Sequence, residues 1–228
     1  MSKKLVGAAL LGQSGGPTSV INASAAGVFL EALKHEEITA VYGAVHGIVG
    51  ILNEEFYDIN AEDTKELERL LYTPSSAIGS VRYKLKDVSV DDTDYRKLLE
   101  IFKKYNIRYF FYNGGNDSMD TCLKVSKYFQ SQDFECRVVG VPKTIDNDLN
   151  GIDHSPGYGS AAKYVATSLM ELYLDASVYD IKQVTVVEVM GRNAGWLTAA
   201  AQLAKHQGTD IDLIYMPEVA FDLEDFFA

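Results

Sequence analysis

Short apolar runs alternate along this chain with stretches whose apolar residues recur every three or four positions. Residues 5–11 predict a buried strand, 20–34 a helix and 38–45 a second strand. Tyr95, Leu98, Leu99 and Phe102 stand at i, i+3, i+4 and i+7, which predicts one apolar helix face. A strand over 107–112 leads into a Gly-Gly turn and a helix over 117–130, and a strand over 136–141 follows. Ala161, Val165, Leu169 and Leu172 mark the stripe of a long helix. Beyond it the pattern predicts a strand over 184–190, a helix over 194–205 and a last strand over 211–216. This order predicts an α/β fold of three layers, with parallel sheets flanked by helices. No Pro/Gly-rich linker divides it, and the expected domain boundary falls near residue 150, giving domains 1–150 and 151–228.

Composition narrows the ligands. The 228 residues suffice for one large or two modest domains. A net charge of -11 without clustered basic residues argues against a nucleic-acid or membrane-surface partner. An anionic substrate therefore needs a local positive site. Two cysteines, Cys122 and Cys136, are too few for a disulfide framework or a zinc cluster and suit the reducing cytoplasm. The opening Met-Ser-Lys-Lys leads into an apolar run too short for a signal-peptide core, and no run approaches a membrane span. His35, His46, His154 and His206 lack metal-ligand spacing.

Four polar turns each follow an expected strand, and in a parallel sheet ligands bind beyond the carboxyl ends of the strands. Residues 12–18, GQSGGPT, offer a backbone that can approach a phosphate and a helix N-terminus behind it. A tight turn explains the same glycines. Residues 114–118, GGNDS, place Asn116 and Asp117 either as helix caps or facing a metal or phosphate. Residues 142–148, PKTIDND, crowd a lysine and two carboxylates together, a cost explained by a phosphate, metal or proton site, although turn formation accounts for the residue types too. Residues 190–195, MGRNAG, carry Arg192, a phosphate fork or a surface arginine. Taken together the four turns supply cations, carboxylates and amides, an inventory that suits Mg²⁺-assisted phosphoryl transfer.

The Gly15-Gly16 turn with Asn22 after it, the Gly114-Gly115 turn with Ser118, the run Thr144, Ile145, Asp146, Asn147, Asp148, and the run from Val187 to Arg192 resemble the 6-phosphofructokinase family. The likeness extends along essentially the whole chain. It implies an enzyme that moves a phosphoryl group to the C1 hydroxyl of fructose 6-phosphate, giving fructose 1,6-bisphosphate in reversible glycolysis. It implies that 1–150 is the donor-binding domain and 151–228 the start of the sugar-phosphate domain. Asp146 would be the base, with Thr144, Ile145 and Asp148 in the substrate and metal shell. Met190, Gly191 and Arg192 would contact the sugar phosphate. Gly16, Gly115 and Arg82 would hold the phosphoryl donor, and Asn116 occupies the metal position. Asp117 and Lys143 resemble the pyrophosphate-dependent branch. A carboxylate at 117 opposes a nucleotide's α-phosphate by bulk and charge, and Lys143 offsets charge on the leaving phosphate. ATP as donor, or a non-catalytic phospho-ligand-binding subunit, are the alternatives.

Ala26 and Leu30 replace effector-site arginines of allosteric members, so no regulation through that site is expected. Gln183 stands where the family has an arginine that reaches a neighbouring subunit. A homo-oligomer, dimer or tetramer, is implied for the full-length form. The family's chains run past 300 residues, which implies further sugar-phosphate anchors beyond Ala228 and weak or no activity for this stretch alone.

Overall fold

A computed structural model describes residues 4–227, so Met1 to Lys3 and Ala228 lie outside the described residues. The elements follow in the order β1 (Gly7–Gln13), α1 (Ile21–Ala32), β2 (Ile38–Ala44), α2 (Gly47–Asn53), β3 (Phe56–Asp58), α3 (Thr64–Arg69), α4 (Thr93–Lys104), β4 (Ile107–Gly114), α5 (Asn116–Ser131) and β5 (Arg137–Pro142). After them come α6 (Tyr158–Ser177), α7 (Trp196–Ala199), α8 (Ala201–Lys205) and α9 (Leu223–Phe227). Among the described residues the chain forms two compact units that divide between Lys143 and Thr144, inside the PKTIDND loop rather than after it.

The first unit is a five-stranded sheet of order β3-β2-β1-β4-β5. β1 pairs in parallel with β2 and β4, and β4 in parallel with β5. The expected all-parallel sheet is corrected at one edge, where β3 runs antiparallel to β2. Residues 45–55, eleven residues including α2, connect β2 to β3, short of the dozen or more that a crossover to a parallel neighbour takes.

Both faces of the sheet are covered, which explains why β1 reads as an unbroken apolar run. Ala8 and Leu10 enter one core cluster with Tyr95, Leu98, Phe102, Phe110 and Phe129, while Ala9 and Leu11 enter the other with Ala25, Phe29, Val41 and Ile59. The period of two along the strand sends alternate residues to opposite faces. The expected stripe of α4 is buried at all four positions. Phe102 packs edge-on against Phe110 and Phe129, with ring centroids 5.4 and 5.0 Å apart. Cys122 and Cys136 are free thiols, and burial pushes each up to about 12. Since the thiolate is the nucleophile, iodoacetamide at pH 7.5 is expected to leave both unmodified in the native chain, and mass spectrometry after brief labelling checks this.

In the second unit the structure corrects the sequence pattern. Residues 184–190 and 211–216, expected as strands, are not in any sheet. Val184 and Val186 are 86% and 85% exposed. Alternating apolar residues form a strand only where another strand accepts their backbone bonds, and nothing among the described residues does so here. The expected stripe of Ala161, Val165, Leu169 and Leu172 likewise lies on a helix, but the one buried residue of α6 is Ala162, outside that stripe. Helical bonds are internal to the segment, so α6 needs no neighbour to form. The expected helix over 194–205 is two short pieces meeting at Ala200, where Leu203 N–H bonds back to the Ala200 carbonyl at 3.0 Å.

Candidate active site

In the first unit three adjacent parallel strands bring their turns to one edge. Gln13 stands opposite Asn113, and Asn113 opposite Val141, so β1, β4 and β5 end in register. The chain order reverses between β1 and β4, because β1 continues to β2 on one side while β4 continues to β5 on the other. Crevices at such reversals are where open α/β sheets take ligands. The 12–18 turn follows β1 and the GGNDS turn follows β4, so they flank that point.

The first turn is a backbone loop held open. Gly15 has φ +79°, a left-handed conformation that disfavours a side chain. Ser14 N–H donates to the Asn113 carbonyl at 2.8 Å, and Gly15 N–H to the Val81 carbonyl at 3.0 Å. The segment carrying Arg82 is thus laid along the turn. A Cβ built on Gly16 would lie 3.6 Å from Arg82 Nη2. Lys143, the residue after β5, is only 5% exposed, and its ammonium donates to the Gly16 carbonyl. A buried ammonium is costly unless it is bonded, so the site holds it at one place. Its backbone N–H donates to the Gly114 carbonyl at 3.0 Å, which ties the start of the PKTIDND loop to the GGNDS turn.

Gly115 is the N-cap of α5, without a side-chain cap bond, and Asn116 and Asp117 form its first turn. The cap reading of Asn116 and Asp117 is therefore corrected: the backbone turn at Gly115 supplies the cap position. A carboxylate in the first turn suits the helix dipole. Asp117 is exposed and stands 3.8 Å from Lys84 Nζ, a partner the sequence did not single out.

The second unit carries the rest of the PKTIDND loop. Asp146 N–H donates to Thr144 Oγ1 at 3.1 Å, and the Thr144 hydroxyl donates to Asp148 Oδ1 at 2.9 Å. Asn147 has φ +56° and is buried; its Oδ1 accepts Ser155 N–H at 2.7 Å and its Nδ2 donates to the Asp153 carbonyl at 3.1 Å. Thr144 N–H donates to the Pro156 carbonyl at 3.0 Å. Asp146 is therefore half-buried between two pinned neighbours, while Asp148 is exposed and Ile145 half-buried. One threonine thus links the Asp146 backbone to the Asp148 carboxylate.

Met190 and Arg192 are exposed on the MGRNAG turn. Gly191 has φ +119°, and a Cβ there would run into the Ala194 carbonyl, so glycine is required. Gly195 N–H donates to Glu218 Oε1 at 2.7 Å and closes the turn. Sequence reading missed the polar residues that shape the first turn: Gln13, Ser76 and Asn113. Their signal was a Gln and an Asn ending strands that are otherwise apolar.

Residues 8–228 match the phosphofructokinase family model. The pyrophosphate–fructose 6-phosphate 1-phosphotransferase of Halomonas elongata is 48% identical over 218 residues, 94% of this chain and 52% of that protein. Its counterpart from Xanthomonas campestris is 48% identical over 222 residues, 96% of this chain and 53% of that protein. The crystal structure of a pyrophosphate-dependent phosphofructokinase from Nitrosospira multiformis superposes with a TM-score of 0.88 at 45% identity, covering 96% of this chain and 55% of that one. The chain spans about half the length of the curated relatives it matches. With the family model covering nearly all of it, and with the turns of that family at the ends of β1, β4 and β5, the chain belongs to the phosphofructokinase family.

Proposed function

We propose that this chain carries the donor site and part of the acceptor site of a pyrophosphate-dependent phosphofructokinase. The reaction moves a phosphoryl group from pyrophosphate to the C1 hydroxyl of fructose 6-phosphate, reversibly, in cytoplasmic glycolysis. The observation that carries this reading is the buried Lys143 ammonium on the Gly16 carbonyl: a fixed cation at a glycine turn suits a small, highly charged donor. The names of the bacterial relatives at 45–48% identity support it.

In this reading the first unit binds the donor and the second begins the sugar-phosphate domain. Gly16 and Gly115 leave room for the donor's oxygens, and Arg82 and Lys143 offset their charge. Asp146 takes the proton of the C1 hydroxyl as the C1 oxygen bonds to phosphorus and the bond to the leaving phosphate breaks, releasing orthophosphate. Thr144 and Asp148 set the loop around Asp146, with Ile145 beside it. Met190, Gly191 and Arg192 receive the sugar phosphate, for which the MGRNAG turn offers an exposed guanidinium. Asp117, exposed beside Lys84, disfavours a nucleotide.

The donor set suits Mg²⁺. The described residues hold no group of three His, Cys, Asp or Glu side chains that could cage a metal. This ion usually takes one or two carboxylates and completes its shell with water and phosphate oxygens. Asn116, at the start of α5, would be the first unit's contribution. When bound, the ion neutralises charge on the phosphates. No helix among the described residues is long and apolar enough to cross a membrane. Fructose 6-phosphate and pyrophosphate are the proposed partners, with no nucleic acid or membrane among them, and a homo-oligomer is the proposed assembly.

Titration calorimetry with Mg²⁺ tests the donor. Inorganic pyrophosphate is expected to bind the chain at least about tenfold more tightly than ATP, a difference of about 1.4 kcal/mol. Tighter binding of ATP would sink the reading.

A further inference from the structure

Gln13 ends β1 as a wholly buried polar residue, and its side chain has four partners. Its Nε2 donates to the Ile21 carbonyl at 3.2 Å and to Asn22 Oδ1 at 3.1 Å. Its Oε1 accepts Ser76 Oγ–H at 2.7 Å and Ile78 N–H at 3.3 Å. Asn22, equally buried, donates to the Thr73 carbonyl at 2.9 Å and accepts Ala77 N–H at 2.8 Å. Two amides thus clamp residues 73–78 to the base of the glycine turn.

The same segment then runs along the turn itself. Ser80 Oγ donates to the Gly15 carbonyl at 2.6 Å, and Ser14 Oγ to the Val81 carbonyl at 3.2 Å. Arg82 follows, with its Nη2 beside Gly16. The sheet does not need this network, because β1 is already paired by its backbone on both sides. Burying two amides carries a desolvation cost, which their bonds to the 73–78 backbone offset. What the network does fix is the register of the Arg82 segment on the turn.

We infer that Gln13 is a positioning residue for the phosphoryl donor: through Ser76 and the 73–82 segment it holds the Arg82 guanidinium over the Gly15-Gly16 turn. The inference rests on the reading of that turn as the donor site. Arg82 approaches the turn from a loop, and a long side chain on an untethered loop would lose conformational freedom on binding. Tethering the segment beforehand removes that cost and shows as tighter binding.

The test is a double-mutant cycle on the 228-residue chain, read by titration calorimetry with inorganic pyrophosphate and Mg²⁺. Gln13→Leu, near in volume and unable to hydrogen-bond, is expected to weaken binding by about tenfold, and the milder Ser76→Ala by about threefold. In an Arg82→Ala background each is expected to change binding by less than about twofold, because the group they position is gone. A general loosening of the fold produces the same factor in both backgrounds, and that result overturns the inference, as does unchanged binding in the single variants. If Gln13→Leu does not fold, the Ser76→Ala cycle decides by the same criterion. Failure of the unaltered chain to bind pyrophosphate overturns the donor reading and this inference with it. Binding by the unaltered chain with equal factors in the two backgrounds overturns the inference alone.

Discussion

Replacing Asp146 by asparagine is expected to slow phosphoryl transfer by about a thousandfold, the scale of losing a general base, or about 4 kcal/mol of barrier. The measurement is a steady-state assay on the chain joined to the part of the Halomonas elongata relative that its match leaves uncovered. Asparagine keeps the shape of the side chain but cannot take the proton. The backbone bond from residue 146 to Thr144 Oγ1 survives the change, and so do the bonds that pin Asn147 to Ser155 and Asp153. The loop should therefore keep its form, and the KM for pyrophosphate should move by less than about twofold, as expected for an interaction made in the transition state. A variant with undiminished turnover would remove Asp146 from the role of base.

The second large effect concerns the choice of donor. With Asp117 and Lys143 both changed to glycine in the same joined chain, the ratio of kcat/KM for pyrophosphate to that for ATP is expected to fall by about a hundredfold or more. Lys143→Gly removes a charge-assisted bond at the turn, an interaction of about 1.5–3 kcal/mol, or about ten- to a hundredfold. Asp117→Gly removes an exposed carboxylate whose nearest cation is Lys84, and with it the bulk and negative charge set against a nucleotide. The two changes act on opposite sides of the ratio, one against pyrophosphate and one in favour of ATP. The single variants separate them: Lys143→Gly should account for most of the loss with pyrophosphate, and Asp117→Gly for any gain with ATP. A ratio unaffected by the double change removes Asp117 and Lys143 from the choice of donor.

Much of this was legible from residue order. The α4 stripe and the strands through 107–112 and 136–141 were visible because a helix face and a doubly buried strand leave different periods in the sequence. Segment 47–58 was not. The sequence GIVGILN of α2 is apolar without a polar face, and the three residues of β3 form a strand only because β2 accepts them. The opposite error arose at 184–190 and 211–216, where the alternation is clear but no partner strand stands among the described residues. Strand formation is a property of a pair, so a period of two is necessary for it without being sufficient.

The candidate site divides along the same line. By itself the sequence determined which groups are available: Lys143, Arg82 and Arg192 as cations, Asp117, Asp146 and Asp148 as carboxylates, and glycines in three of the four turns. Those are chemical identities, and they are local. The tertiary structure alone decided that Lys143 reaches the Gly16 carbonyl and that Arg82 lies beside the same glycine. It also decided that Thr144 links the backbone of Asp146 to the carboxylate of Asp148, and that Gln13 and Asn22 clamp a segment far along the chain. Such contacts depend on strand order and register, which are settled by burying both faces of one sheet at once, and no short stretch of sequence encodes that choice.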